Sequence, residues 1–264
     1  QNINRLNILE DNGFQLSTRI TLMPTHIGDL NSRRVNLLSL TPGTSFDLKS
    51  SLGIVEERAL LFHLLRKEWK LTSISAMHLF RGYAGLDSFR WYLDRLESNH
   101  KIDTGLAAGF LNCVRSNDAR LAAAGRQSLR EQADELVPRF RYLGAKGSPP
   151  SDIAALQASL IGDLRNLMAQ ACIHAIEPDI VILDEFQRFK SLLENNDPMS
   201  ALAHHLFNYS EDGTEAKVIL LSATPYKMYT MSHEDGEDHH ADFLRTLEFL
   251  FHDPARVEEV GCLL

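Results

Sequence analysis

The chain has 264 residues, of which 44% are hydrophobic and 23% charged, with a formal net charge of −8. That balance belongs to an ordinary globular protein and excludes disulfide-scaffold and low-complexity classes. The acidity counts against a dedicated nucleic-acid module, which is basic overall, but does not exclude contact with one strand along a narrow local track.

Three cysteines, Cys113, Cys172 and Cys262, are widely separated and odd in number. They form neither a disulfide framework nor a zinc pattern, so a reducing cytoplasm is the expected compartment. No stretch approaches membrane-spanning length and no secretory signal opens the chain, so no membrane partner is expected.

In chain order, extended runs are expected at Arg19–Met23 and Arg34–Leu40, the second broken by Thr41-Pro42-Gly43. From about Val55 to Ile176 the spacing turns helical. Glu56–Trp69 sets Leu61, Leu64, Leu65 and Trp69 on one face. Ser88–Glu97, Leu106–Val114 and Ala119–Leu136 continue the pattern, with breaks at Gly82, Gly85, Asp103-Thr104 and Asn117-Asp118. Trp69 and Trp91, both within helical apolar patterns, read as core anchors rather than base-stacking platforms.

A loop at Gly144–Pro150 precedes Ser151-Asp152, which opens a long helix with Leu156, Leu160, Leu164, Leu167 and Ala171 on one face. It leads through Glu177-Pro178-Asp179 into a wholly apolar run, Ile180–Leu183, as in one half of a βαβ unit. Asp197-Pro198 starts another helix with Leu202 and Leu206 inward. A polar turn, Asn208–Lys217, leads to a second apolar run, Val218–Leu221, and Asp242–Phe251 reads as a closing helix. His204-His205 fall on a helix, while His233 and His239-His240 lie in or beside an acidic stretch, Glu234–Asp242, that reads as a solvated loop; nothing in the spacing makes any of them converge on a metal.

Both apolar runs end abruptly in polar residues, as buried parallel strands do where they deliver chemistry at their carboxyl ends. The first delivers Asp184 and Glu185, followed by Phe186-Gln187. The second delivers Ser222-Ala223-Thr224-Pro225. Adjacent carboxylates suit Mg²⁺–nucleotide chemistry, one holding the hydration shell of the metal and the other orienting a water.

Asp184-Glu185-Phe186-Gln187 resembles motif II, the Walker B box, of superfamily 2 helicases and translocases, and Ser222-Ala223-Thr224-Pro225 resembles their motif III. Val35–Leu40 followed by Thr41-Pro42-Gly43-Thr44 resembles motif Ib. The stretches Thr44–Leu48 and Tyr226–Leu250 are most similar to bacterial helicase-like proteins near the Swi/Snf-type and restriction-translocase branches. The resemblance implies an α/β fold: a RecA-like (P-loop NTPase-type) core with a mainly parallel sheet flanked by helices and a large helical insertion. Residues 1–54 and 148–264 would be the two parts of that core, and residues 55–147 the insertion.

The same resemblance implies roles. Asp184 would bind Mg²⁺ through water and Glu185 would orient or deprotonate the attacking water. Gln187, an amide that both donates and accepts, would couple the nucleotide site to Ser222 and Thr224. Thr41, Gly43 and Thr44 would contact a nucleic-acid backbone. ATP and Mg²⁺ are the implied cofactors; DNA or RNA, and a second RecA-like domain of the same parent chain, are the implied partners. The implied activity is ATP hydrolysis coupled to translocation or unwinding.

No Gly-x-x-x-x-Gly-Lys-Ser/Thr turn occurs in the chain. The chain is therefore expected to be the later part of a first motor domain, inactive by itself. Bland readings stand beside each motif. Asp184-Glu185 is also an acidic pair favourable at a helix N-terminus. Ser222 and Thr224 could cap a strand end, Gln187 could be a solvated side chain, and Thr-Pro-Gly is an ordinary turn. The rival from another class is a non-catalytic, helicase-like scaffold that binds nucleic acid or a protein.

Overall fold

Helix-period spacing dominates the middle of the chain, and helices follow from it. The computed structural model describes residues 13–17, 19–26, 35–39, 52–98, 102–141, 148–184, 198–211, 214–221, 239–251 and 253–262. The chain divides into two units, Gln1–Ile176 and Glu177–Leu264.

In the first unit, β1 (Gly13–Ser17) pairs in parallel with β2 (Val35–Ser39), from Gly13 opposite Val35 to Ser17 opposite Ser39. Between them Ile20–Thr25 is a 3₁₀ helix with Ile20 and Met23 buried. The extended run expected at Arg19–Met23 is thus replaced by a tight helical turn, and the strand lies just before it. Five helices follow: α1 (Val55–Glu68), α2 (Ile74–Arg81), α3 (Leu86–Ser98), α4 (Thr104–Ala123) and α5 (Leu129–Leu136). Then comes the 26-residue α6 (Ser151–Ile176).

Local chemistry sets several of the helix ends. Ser73 accepts from Ala76 N–H at the start of α2 and Asp103 from Leu106 N–H at the start of α4. Ser128 and Glu131 form a reciprocal capping box on α5. The helix break expected at Asn117-Asp118 does not occur. Here α4 runs on to Ala123, and the chain turns at Gly125, whose φ of +66° suits a residue without Cβ. Asp118 instead accepts from Leu129 N–H at 2.7 Å, tying the end of α4 to the start of α5.

The core of this unit lies between α1, α2, α3, α4 and α6. Phe62 of α1 meets Phe80 and Phe89 edge-on at 5.5 and 5.9 Å. From α6, Leu160, Leu164, Leu167 and Ala171 are buried as their spacing predicts, whereas Leu156 is exposed. Trp69 is buried; Trp91, expected in the core, is 55% exposed. A buried ion pair crosses the helices, Arg165 to Glu57 at 3.2 Å, with the Thr21 hydroxyl also donating to Glu57. Arg58 donates to the carbonyls of Leu52, Gly53, Phe80 and Arg81, closing the end of α2.

In the second unit β3 (Ile180–Asp184) and β6 (Lys217–Leu221) pair in parallel, joined through α7 (Pro198–Phe207) and a short antiparallel pair, β4 (Ser210–Glu211) with β5 (Thr214–Glu215). α8 (His239–Phe251) and α9 (Pro254–Gly261) follow. Phe207 of α7 packs edge-on against Phe249 of α8 at 5.5 Å.

The expected RecA-like, mainly parallel sheet flanked by helices is overturned. The protein is mostly helical, and among the described residues parallel pairing occurs only as two-stranded sheets. Such a core needs several apolar strand runs side by side. The described strands are at most five residues long, and the longest stretch of sequence carries the 3.6-residue period instead. The strands expected to be buried on both faces are also half open. Val181, Leu183, Val218 and Leu220 are partly covered, while Ile180, Ile182, Ile219 and Leu221 are exposed.

Candidate functional site

The β-branched runs Ile180-Val181-Ile182 and Val218-Ile219 favour extended backbone, and they pair in register from Ile180 opposite Lys217 to Asp184 opposite Leu221. Lys217 N–H donates to the Asp179 carbonyl at 3.0 Å, which fixes the amino end of the pair. Parallel neighbours run in the same direction about 4.8 Å apart, so the carboxyl ends of β3 and β6 lie abreast. Asp184 is the last residue of β3 and is exposed. The sequence runs Asp184-Glu185 and Leu221-Ser222 therefore leave adjacent strands at the same end.

Glu185, Gln187, Ser222 and Thr224 lie outside the described residues, as do Thr41, Gly43 and Thr44, which follow β2 in the first unit. Asp184 has no ion pair among the described residues. Its carboxylate is a hard oxygen donor. Among the described residues no group of three or more His, Cys, Asp and Glu could hold a metal, and no helix is long and apolar enough to cross a membrane. The His204 ring lies edge-on to Phe249 at 5.7 Å.

The sequence reading missed a second feature, in the first unit. A cavity of about 270 Å³ opens beside α1 and α3. Leu22, Leu60, Leu96 and Ile102 give it apolar walls; Glu56, Tyr92, Arg95, Thr25 and His26 complete the lining. The Tyr92 hydroxyl donates to the Glu56 carboxylate, and that bond holds the phenol above its ordinary range, with burial adding to the effect and Arg95 opposing it. The Arg95 guanidinium lies 5.5 Å from the Trp91 ring centre, one helical turn away on α3. Thr25 spends its hydroxyl on the Leu22 carbonyl at 2.8 Å. A Trp-Tyr pair followed by Arg four positions after the Trp was the available signal, masked because Trp91 sits in an apolar helical pattern.

No protein-family model, no curated protein and no solved structure matches the chain.

Proposed function

We propose that this chain is part of a nucleic-acid-dependent ATPase, a helicase or translocase that couples ATP hydrolysis to movement on, or unwinding of, DNA or RNA. One observation carries the reading: β3 and β6 are parallel, hydrogen-bonded neighbours, with Asp184 opposite Leu221. The two motifs, 37 positions apart by the numbering of Glu185 and Ser222, thus follow strands that end side by side. The reading requires that shared end alone and draws nothing from the wider sheet.

In this reading Asp184 holds Mg²⁺ through water. An exposed carboxylate at a strand end fits that ion, which keeps several waters and takes most of its remaining ligands from phosphates rather than from a protein cage. When bound, the ion neutralises phosphate charge. Glu185 orients the attacking water and accepts its proton, Gln187 links that carboxylate to Ser222 and Thr224, and Thr41, Gly43 and Thr44 touch the polynucleotide backbone. The compartment proposed is the cytoplasm.

The test is ATP turnover by the full-length protein, with and without single- and double-stranded DNA and RNA. Stimulation by one of these polymers is expected, and Glu185→Gln is expected to lower it by about a hundredfold or more, as loss of a general base does. Turnover that no polynucleotide alters, or that survives Glu185→Gln, overturns the reading.

A further inference from the structure

We infer that the cavity beside α1 and α3 is a binding site for a small zwitterion with an apolar body, of which an α-amino acid with an aliphatic or aromatic side chain is the simplest case. The inference stands on the first unit alone and is independent of the ATPase reading.

Two opposite charges line one apolar cavity, Glu56 from α1 and Arg95 from α3. Neither forms an ion pair among the described residues. Each is held by an aromatic neighbour instead: Glu56 by the Tyr92 hydroxyl, Arg95 by the face of Trp91. Trp91 and Tyr92 are themselves in edge contact, with ring centres 4.8 Å apart. The two charges thus stand beside one aromatic pair and form no ion pair with each other among the described residues. Charges held in position but unspent on one another lower the ordering cost of a ligand that satisfies both.

The chemistry of the ligand follows from the lining. The Glu56 carboxylate keeps acceptor capacity for an ammonium group after accepting from Tyr92. The planar donors of Arg95 match a carboxylate. Leu22, Leu60, Leu96 and Ile102 offer an apolar surface to the rest of the molecule. A cavity of about 270 Å³ has room for one amino acid. A simple anion or cation would satisfy one charge and leave the other to repel it.

The experiment is isothermal titration of the chain with L-leucine and L-phenylalanine, beside isopentylamine and isovalerate as probes carrying one charge each. A dissociation constant of about 1 mM or tighter is expected for the amino acids, as ligands of this size reach, with binding at least about tenfold weaker for either single-charge probe. Glu56→Gln and Arg95→Gln are each expected to weaken amino-acid binding by about tenfold or more, the value of one charge-assisted hydrogen bond. Ile102→Trp, which fills the apolar wall and leaves both charges, is expected to abolish binding while the chain keeps its circular dichroism and melting transition. Undetectable binding of both amino acids by the folded wild type overturns the inference. So does binding that Glu56→Gln, Arg95→Gln and Ile102→Trp all leave unchanged, since the ligand would then sit elsewhere.

Discussion

At the scale of single residues, the buried pair Glu57–Arg165 is the most consequential contact. Both side chains are almost wholly enclosed, at 2% and 1% exposure, so neither charge can be returned to water if its partner is lost. Arg165→Met should therefore destabilise the protein by about 3–5 kcal/mol, while the double variant with Glu57→Leu should recover part of that loss. Denaturant midpoints of the two variants decide it. Gly53 belongs to the same network: its φ is +60°, and an added Cβ would sit 2.2 Å from Glu57 Oε2 and 2.3 Å from the Arg165 Nε. Gly53→Ala should cost about 1–3 kcal/mol, because those groups are pinned by the pair rather than free to swing away. His63 supplies a pH effect. Burial, reinforced by Arg66, holds its imidazole below the usual value, and burial with Arg81 does the same to His78. As pH falls through about 6.5 the unfolded chain takes up these protons first, so stability is full above that pH and declines below it. The urea midpoint should drop between about pH 7.5 and about pH 5.5, and drop less in His63→Gln.

At the scale of elements, the sheet β3–β6 makes the sharpest test of what the sequence conveyed. Its two runs read as strands, and as parallel, because they are short, β-branched and bounded by polar residues. Their burial was misread, since an unbroken apolar run looks the same whether one face or both are covered. On this alternation, Val181→Lys on the covered face should cost well over about 1 kcal/mol, while Ile182→Lys on the exposed face should stay within about 0.5 kcal/mol. Helices were more legible, because a 3.6-residue stripe repeats over several turns: α1, α3, α6 and α8 all lie where the spacing puts them. The misses share one cause. Asp118, Trp91 and Leu156 each fit a local rule, as helix breaker, aromatic anchor and stripe member. Asp118 caps the next helix, Trp91 lies open beneath Arg95, and Leu156 is left outside the core. Of the candidate site, the strand ends were legible because motif and strand coincide there. The cavity was not, because Glu56 and Arg95 stand 39 positions apart by their numbers and only packing of α1 with α3 joins them.

At the scale of the whole molecule, the division at Ile176–Glu177 falls where α6 ends and backbone with a positive φ, +43° at Glu177, precedes β3. A non-glycine residue in that region costs about 1 kcal/mol or more unless the surroundings require it. It marks a sharp exit from the helix, not a continuous one. Among the described residues, the largest fully buried side chains, Phe80, Phe89, Phe110 and Phe140 among them, belong to the first unit, and so does the Glu57–Arg165 pair. The second unit keeps one sheet face uncovered among the described residues. The apolar area that the described residues enclose is therefore unequal between them, and stability follows enclosed apolar area. Residues 1–176 expressed alone should retain helical circular dichroism and a cooperative melt close to that of the full chain, while residues 177–264 alone should melt broadly or not at all. Cysteine reactivity measures the same asymmetry within the intact chain. Cys172 is buried in α6, and burial pushes its thiol pKa well up; Cys113 is half-buried and raised by the same cause, and Cys262 is exposed. Thiolate is the reacting form, so a thiol reagent should label Cys262 at once, Cys113 slowly, and Cys172 only when the first unit unfolds. If Cys172 were labelled as fast as Cys262 under native conditions, α6 would not be sealed into a core, and the first unit could not be the stable body described.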